Sequence, residues 1–468
     1  MGPRHLQALA DSRYAPLWLD QGERPSPLAP LAGQERCQLL IVGGGFTGLW
    51  GALQAKERRP DLDIILIEAT EIGDGASGRN GGFLDSSLAH GSLNADVHFP
   101  GEGERLEELG HQNLVEFVES LENHGIEARY EGVGMLTVAT NPTRAQALRE
   151  EYEAENAEGS DVMWFDEEEV RREINSPTFF AGLWTRDGKD GLVDPAALCW
   201  GLKKTVLSLG VRIFENTPML AMSPDGQGMK LTTPEGSIRC DRILMGTNAY
   251  PSPIPRARKS VIPVWDYALA TEPLSPDQLA SVGWQRRQGL GDHVNMFYYS
   301  RLTEDNRITW GGGDSVVYPY GSRTDSRAAD DPKRFAGLAK QFFETFPQLE
   351  GVRFSHRWTG LIASTTRFCM APGTAFDGRV AWAIGYTGLG VGATRFGARI
   401  GLELLGHDPT DILDMQFVKK PAMAWPPEPL RWLGVTLTRH EMLRADRNHG
   451  RRGLWLKLLD RFNLGFAC

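Results

Sequence analysis

The spacing Gly43-x-Gly45-x-x-Gly48, with Ala52 and then Glu68 downstream, suits the binding of a dinucleotide. Gly43 permits a tight turn out of a strand, and Gly45 lets backbone approach a pyrophosphate without a Cβ in the way. Gly48 and Ala52 let a helix lie close to a sheet. Phe46 and Thr47 lie in the turn that leads into that helix, whose N-terminus offers unpaired N–H groups and a positive dipole end to phosphates. Glu68, followed by Ala69, lies 20 residues after Gly48. A carboxylate there can accept both hydroxyls of an adenosine ribose and disfavours a 2′-phosphate. The expected ligand is therefore FAD or NAD rather than NADP.

The elements that must position these groups surround them. QLLIV, from Gln38, is an apolar run bounded by glycines, as expected of a buried parallel strand. GGGFTG is the turn, LWGALQAKERRP the helix that Pro60 stops, and DIILIE a second strand. A glycine-rich turn follows, GDGASGRNGG. Its Ala76, Ser77, Gly78, Arg79, Asn80, Gly81 and Gly82 can pass beneath a ring and a ribityl chain with N–H groups pointing inward, which favours FAD.

IVGGGFTGLW, IEATEIGDGASGRNGG and the late GYTGLGVGATRFGARIGLELLG together resemble the D-amino-acid oxidase superfamily of flavin amine oxidases. GASGRNGG is most similar to the γ-glutamylputrescine oxidoreductase branch, which also includes oxidases of aminophosphonates. The resemblance implies a mixed α/β fold in which a Rossmann-like FAD-binding domain interleaves with a β-sheet-rich substrate domain. It also implies oxidation of a primary or secondary amine, or an amino acid, by hydride transfer to flavin. The resemblance places Gly43, Gly45, Thr47 and Gly48 at the pyrophosphate and Ser77 through Gly82 along the flavin. Met219 would meet the adenine through its backbone, and Thr247 and Asn248 would lie near the pyrophosphate and adenosine half. Gly388, Leu389, Gly390 and Val391 would offer N–H groups to the flavin pyrimidine edge, which becomes anionic on reduction.

Catalytic residues carry less pattern, because the flavin performs the redox step and the protein aligns and desolvates. Trp265, Tyr267, Phe297, Tyr298 and Tyr299 come from the segment that forms the family's substrate-side sheet. Tyr267 and Tyr299 are the candidates for the aromatic wall of an amine site. Arg301 is the candidate anchor for a substrate carboxylate or phosphonate, with a surface charge as the alternative. His356 is the candidate where the chain re-enters the flavin domain. Sarcosine-type relatives use a lysine near the flavin to speed reaction with oxygen; Thr309 stands at the approximate match, so the acceptor is oxygen or another electron acceptor. Those relatives also attach the flavin to a cysteine. Cys369 is the tempting counterpart, but CMAPG takes the place of a turn in non-covalent relatives, so non-covalent FAD is expected.

Composition narrows the classes. The 468-residue chain has a formal net charge of −10, which argues against general nucleic-acid binding. Cys37, Cys199, Cys240, Cys369 and Cys468 show no metal-ligand spacing, so no metal is expected. Dispersed thiols, no apolar run of membrane-spanning length and no secretory apolar core predict a cytoplasmic protein. An aromatic flavin hydroxylase would want a GD motif before its last flavin helix, and Asp314 comes too early for that. A non-catalytic FAD-bound scaffold is a further alternative.

The expected organisation is a surface leader at 1–36 and an FAD domain at 37–95, 190–258 and 357–410. A substrate domain at 96–189 and 259–356 and a C-terminal extension at 411–468 complete it. Residues 142–175 show helical spacing. In the tail, Leu454, Leu458, Leu459 and Phe462 share one helical face, with Lys457 and Arg461 on another. The expectation is a packed last helix with its cations in solvent.

Overall fold

The computed structural model describes residues 4–186, 188–325, 329–448 and 450–462. Two sheets dominate the described residues. The first is parallel at its centre, in the spatial order Arg212–Phe214, Ile64–Ile67, Gly33–Val42, Gly236–Met245, Val380–Ile384. Burial on both faces explains its continuous apolar runs: Leu39 to Ile41 and Ile64 to Leu66 are fully buried. The helices Phe46–Arg58, Pro195–Ser208 and Ala393–Leu404 lie against this sheet. The strands Ala221–Asp225 and Gly228–Thr232 form an antiparallel flap on Gly236–Met245.

The second sheet is nine-stranded among the described residues and mostly antiparallel. Its central strands are Phe354–Ser364, Ile262–Thr271, Ile308–Gly312 and Tyr298–Leu302. The helix Pro332–Thr345 covers one face through Phe335, Leu338 and Phe342. The other face meets the first sheet's turns. The mixed α/β fold with interleaved segments is what the sequence predicts.

Several expectations are corrected. The leader is not a surface arm: Leu17, Trp18 and Leu19 are buried with Ala196, Ala268 and Trp358. Arg13–Tyr14 also pairs in parallel with Phe354–Ser364. The first strand starts at Gly33 rather than Gln38, because Gly33 through Cys37 continue the ladder with Gly236 through Cys240. Residues 142–175 are not one helical stretch. A strand, Val162–Phe165, separates the helices Pro142–Glu158 and Glu167–Glu173, and Gly159 in the left-handed region ends the first of these. The helix Gly103–Asn123 lies with the FAD-side layer, where Phe117 meets Trp50 at 4.9 Å, so the boundary at 95/96 moves. The boundary at 356/357 falls inside the strand Phe354–Ser364.

The tail also differs from expectation. It forms the helices Leu430–Arg447 and Leu454–Arg461. Leu456, not the predicted face, is buried, while Leu454, Leu458 and Phe462 are exposed. Cys468 and the chain after Phe462 lie outside the described residues.

Candidate functional site

The first strand ends at Val42, and the helix Phe46–Arg58 starts with Gly45 as its N-cap. Gly43 takes φ +110°, a left-handed conformation that favours glycine, and a Cβ there would sit 2.8 Å from the Gly246 carbonyl oxygen. A Cβ on Gly48 would overlap the Gly43 carbonyl. Phe46 N–H donates to Ser77 Oγ at 2.9 Å, so the glycine-rich turn is tied to the helix N-terminus. The Thr47 hydroxyl pairs with Tyr386 OH at 2.8 Å, which joins the first helix to the last glycine-rich loop.

Glu68 follows the strand Ile64–Ile67 and accepts from Gly44 N–H at 2.7 Å and Thr70 N–H at 3.0 Å. Burial raises its pKa, against these hydrogen bonds. Ala69 is exposed beside it. Asn248 Oδ1 accepts from Gly385 N–H at 3.1 Å, and Thr247 adjoins the Gly43 turn. Met219 lies partly buried between the strands Arg212–Phe214 and Ala221–Asp225. Gly388 takes φ +101° with open space where a Cβ would be; Leu389 and Gly390 are partly exposed and Val391 is buried.

The turn between these regions holds itself. Asn80 Oδ1 accepts from Gly82 N–H at 2.8 Å, and its amide donates to the Ala76 and Ser77 carbonyls. Arg79 donates to the Asp74 carbonyl and carboxylate, and Trp358 Nε1 donates to the Arg79 carbonyl at 2.9 Å. A Cβ on Gly78 would overlap the Gly73 carbonyl. An open left-handed loop, a glycine-lined helix N-terminus and a half-buried carboxylate fit an FAD, whose pyrophosphate Gly43 to Gly48 would hold and whose ribose Glu68 would meet.

The four catalytic candidates separate. Side chains alternate along a strand, so Tyr267 and Tyr298 face the helix Pro332–Thr345. Tyr267 meets Phe335 at 5.1 Å and Tyr298 stacks on Trp310 at 5.4 Å. Tyr267 is therefore a packing residue on the far face, and burial pushes its hydroxyl to about 12. Tyr299 faces the glycine-rich turn, 5.6 Å from the Phe83 ring, with its hydroxyl donating to Asp266 Oδ2 at 2.7 Å. His356 shares that face but lies further along its strand, clasped by Asp20 of the leader at 3.0 Å. Burial lowers its pKa. Arg301 is neither an exposed charge nor a displayed anchor. It is buried, donates to the Val193 carbonyl at 2.5 Å and lies over the Trp18 ring at 5.3 Å. Burial lowers its pKa to about 10. Thr309 is cross-strand to Arg301.

Sequence reasoning missed Asp266. It lies one residue from Tyr267 and so on the opposite face, beside Tyr299 and across from Gly360. Its Oδ1 accepts from Tyr267 N–H at 2.8 Å, and burial raises its pKa to about 6 against that bond and the Tyr299 hydroxyl. The signal in the sequence was an acid in an otherwise apolar strand, IPVWDYALAT. Asp85, just after the turn, is also raised to about 6 by burial, and His90 is lowered to about 4. Cys369 is fully buried in an apolar cluster with Phe396 and Phe417, and burial pushes its thiol to about 11.

The chain is similar to several known proteins along most of its length. Gamma-glutamylputrescine oxidoreductase of Escherichia coli is 30% identical over 390 residues, 82% of this chain and 87% of that protein. Probable oxidoreductase OrdL of Haemophilus influenzae is 28% identical over 405 residues, 84% and 88% of the two chains. Among solved structures, glycine oxidase from Geobacillus kaustophilus superposes with a TM-score of 0.66 at 19% identity, over 80% of this chain and 96% of that one. The family model for FAD dependent oxidoreductases of the DAO type matches residues 38–404, and the chain belongs to that family, with FAD as its cofactor.

Proposed function

We propose that the protein oxidises a primary or secondary amine, or an amino acid, at its CH–NH bond. The observation that carries this reading is the Asp266–Tyr299 pair on the sheet face that meets the Gly81–Gly82 turn. FAD, when bound, would supply the acceptor for the hydride of the substrate's α C–H. An amine reaches solution mostly as ammonium, which has no lone pair to assist that transfer. Asp266, as a carboxylate, attracts the ammonium and accepts its proton, and its raised pKa makes it a better base than an ordinary Asp. Tyr299 fixes the orientation of the carboxylate. Phe83 and Trp358 exclude water, and Asn80 and Arg79 hold the turn that faces the substrate sheet. The imine product leaves and hydrolyses to a carbonyl compound.

The similarity to gamma-glutamylputrescine oxidoreductase makes amines bearing a distant amide or carboxylate the first substrates to try. Burial of Cys369 supports non-covalent FAD. The test is anaerobic mixing of the holoenzyme with such amines and with amino acids, with a carbonyl reagent present. At least one amine should bleach the flavin and give a trapped carbonyl in equal amount. Bleaching by no amine, or bleaching by alcohols alone, would overturn the reading.

A further inference from the structure

The C-terminal helices leave an apolar face uncovered. On Leu454–Arg461, Leu454 is 88% exposed, and Phe462, just past the helix end, is 65% exposed; Leu458 between them is exposed too. Positions four apart share a helix face, so these three make one continuous strip. Lys457 and Arg461, both exposed, border it. The opposite side holds the helix in place: Leu456 is buried, and Trp455 Nε1 donates to Thr438 Oγ1 at 2.9 Å.

The preceding helix, Leu430–Arg447, repeats the design along its length. Leu430, Leu433 and Leu437 are exposed on one face, and His440, Arg444 and Arg447 continue the same face as exposed cationic or titratable groups. Its inner side is fixed to the substrate sheet. Ala445 is buried, Asp446 accepts from Asn295 N–H and Met296 N–H, and Arg439 donates to the Val316 carbonyl at 2.6 Å. The exposed leucines therefore belong to anchored helices.

Charge identifies the occupant. Residues 430–462 carry eight Lys or Arg against three Asp or Glu, on a chain of net charge −10. Two copies meeting through this face would bring like charges together. An anionic bilayer offers an apolar layer for the leucines and complementary charge for the cations beside them. No helix among the described residues is long and apolar enough to cross a membrane, so the contact is interfacial. We infer that the two C-terminal helices dock this protein peripherally on an anionic lipid surface.

The test is co-sedimentation of the holoenzyme with phosphatidylcholine vesicles, with and without phosphatidylglycerol. Leu454→Glu/Leu458→Glu and Lys457→Gln/Arg461→Gln serve as variants at exposed positions, with flavin content as the check on folding. The intact protein should sediment only with the phosphatidylglycerol vesicles, and less as salt rises. The glutamate pair should abolish sedimentation. The glutamine pair should weaken it by about 30-fold, from the typical worth of two cations at such a surface. Failure to sediment with phosphatidylglycerol vesicles would overturn the inference. So would equal sedimentation with both vesicle types, or a lipid-free dimer that the glutamate pair dissociates.

Discussion

At the scale of single residues, Asp266 sets function against stability. Its folded value of about 6 lies above the ordinary 3.8, so the native state holds the proton more tightly than the unfolded chain does. Its contribution to stability is therefore present below the ordinary value and is lost as pH rises through about 6. Asp266→Asn should leave the protein as stable as the parent or more so at neutral pH, by ~1–2 kcal/mol. Thermal melting across that pH window checks this, and equal destabilisation at all pH values would contradict it. Arg301 is the reverse case. Its guanidinium serves the Val193 carbonyl beside the Gly82 turn, and a Cβ on Gly82 would stand 2.6 Å from it. Arg301→Leu should cost ~1.5–3 kcal/mol for the lost charge-assisted bond and should lower flavin retention. A raised substrate requirement with flavin content intact would restore Arg301 as an anchor.

At the scale of elements, the leader is part of the site's support. Trp18 lies under Arg301, and Asp20 holds His356. Trp18→Ala should cost ~3–5 kcal/mol, as removal of a buried Trp does, and should loosen FAD; a melting temperature within a degree or so of the parent's would contradict this. The burial of Leu17, Trp18 and Leu19 was not legible in the leader, because their partners Ala268 and Trp358 are hundreds of residues away. The βαβ unit was legible because its signals are local: an apolar run, three glycines and Pro60. The split of residues 142–175 was harder, since VMWF is too short to show a period. Strand facing was the decisive illegible quantity. WDY and FYY alternate across a sheet whose orientation is set by distant elements. Tyr267, expected at the site, therefore faces away from it, while its neighbour Asp266 faces inward.

At the scale of the whole molecule, two sheets assembled from interleaved segments bring the Gly81–Gly82 turn against Asp266, Tyr299 and Trp358. The glycine turns expected to hold FAD were readable because backbone sterics demand glycine there. The substrate half depends on which side chains a long-range sheet turns inward, and no local pattern encodes that. In the proposed reaction Asp266 accepts the substrate proton as a carboxylate. The most direct measurement is the anaerobic rate of flavin reduction by a reactive amine, followed against pH in the parent and in Asp266→Asn. The parent's rate should rise with pH through an apparent pKa near the value of about 6 that burial gives this group. Asp266→Asn should lose that limb and fall by about 10²–10⁴-fold with its FAD content unchanged. An unaltered limb and rate in Asp266→Asn would contradict the account.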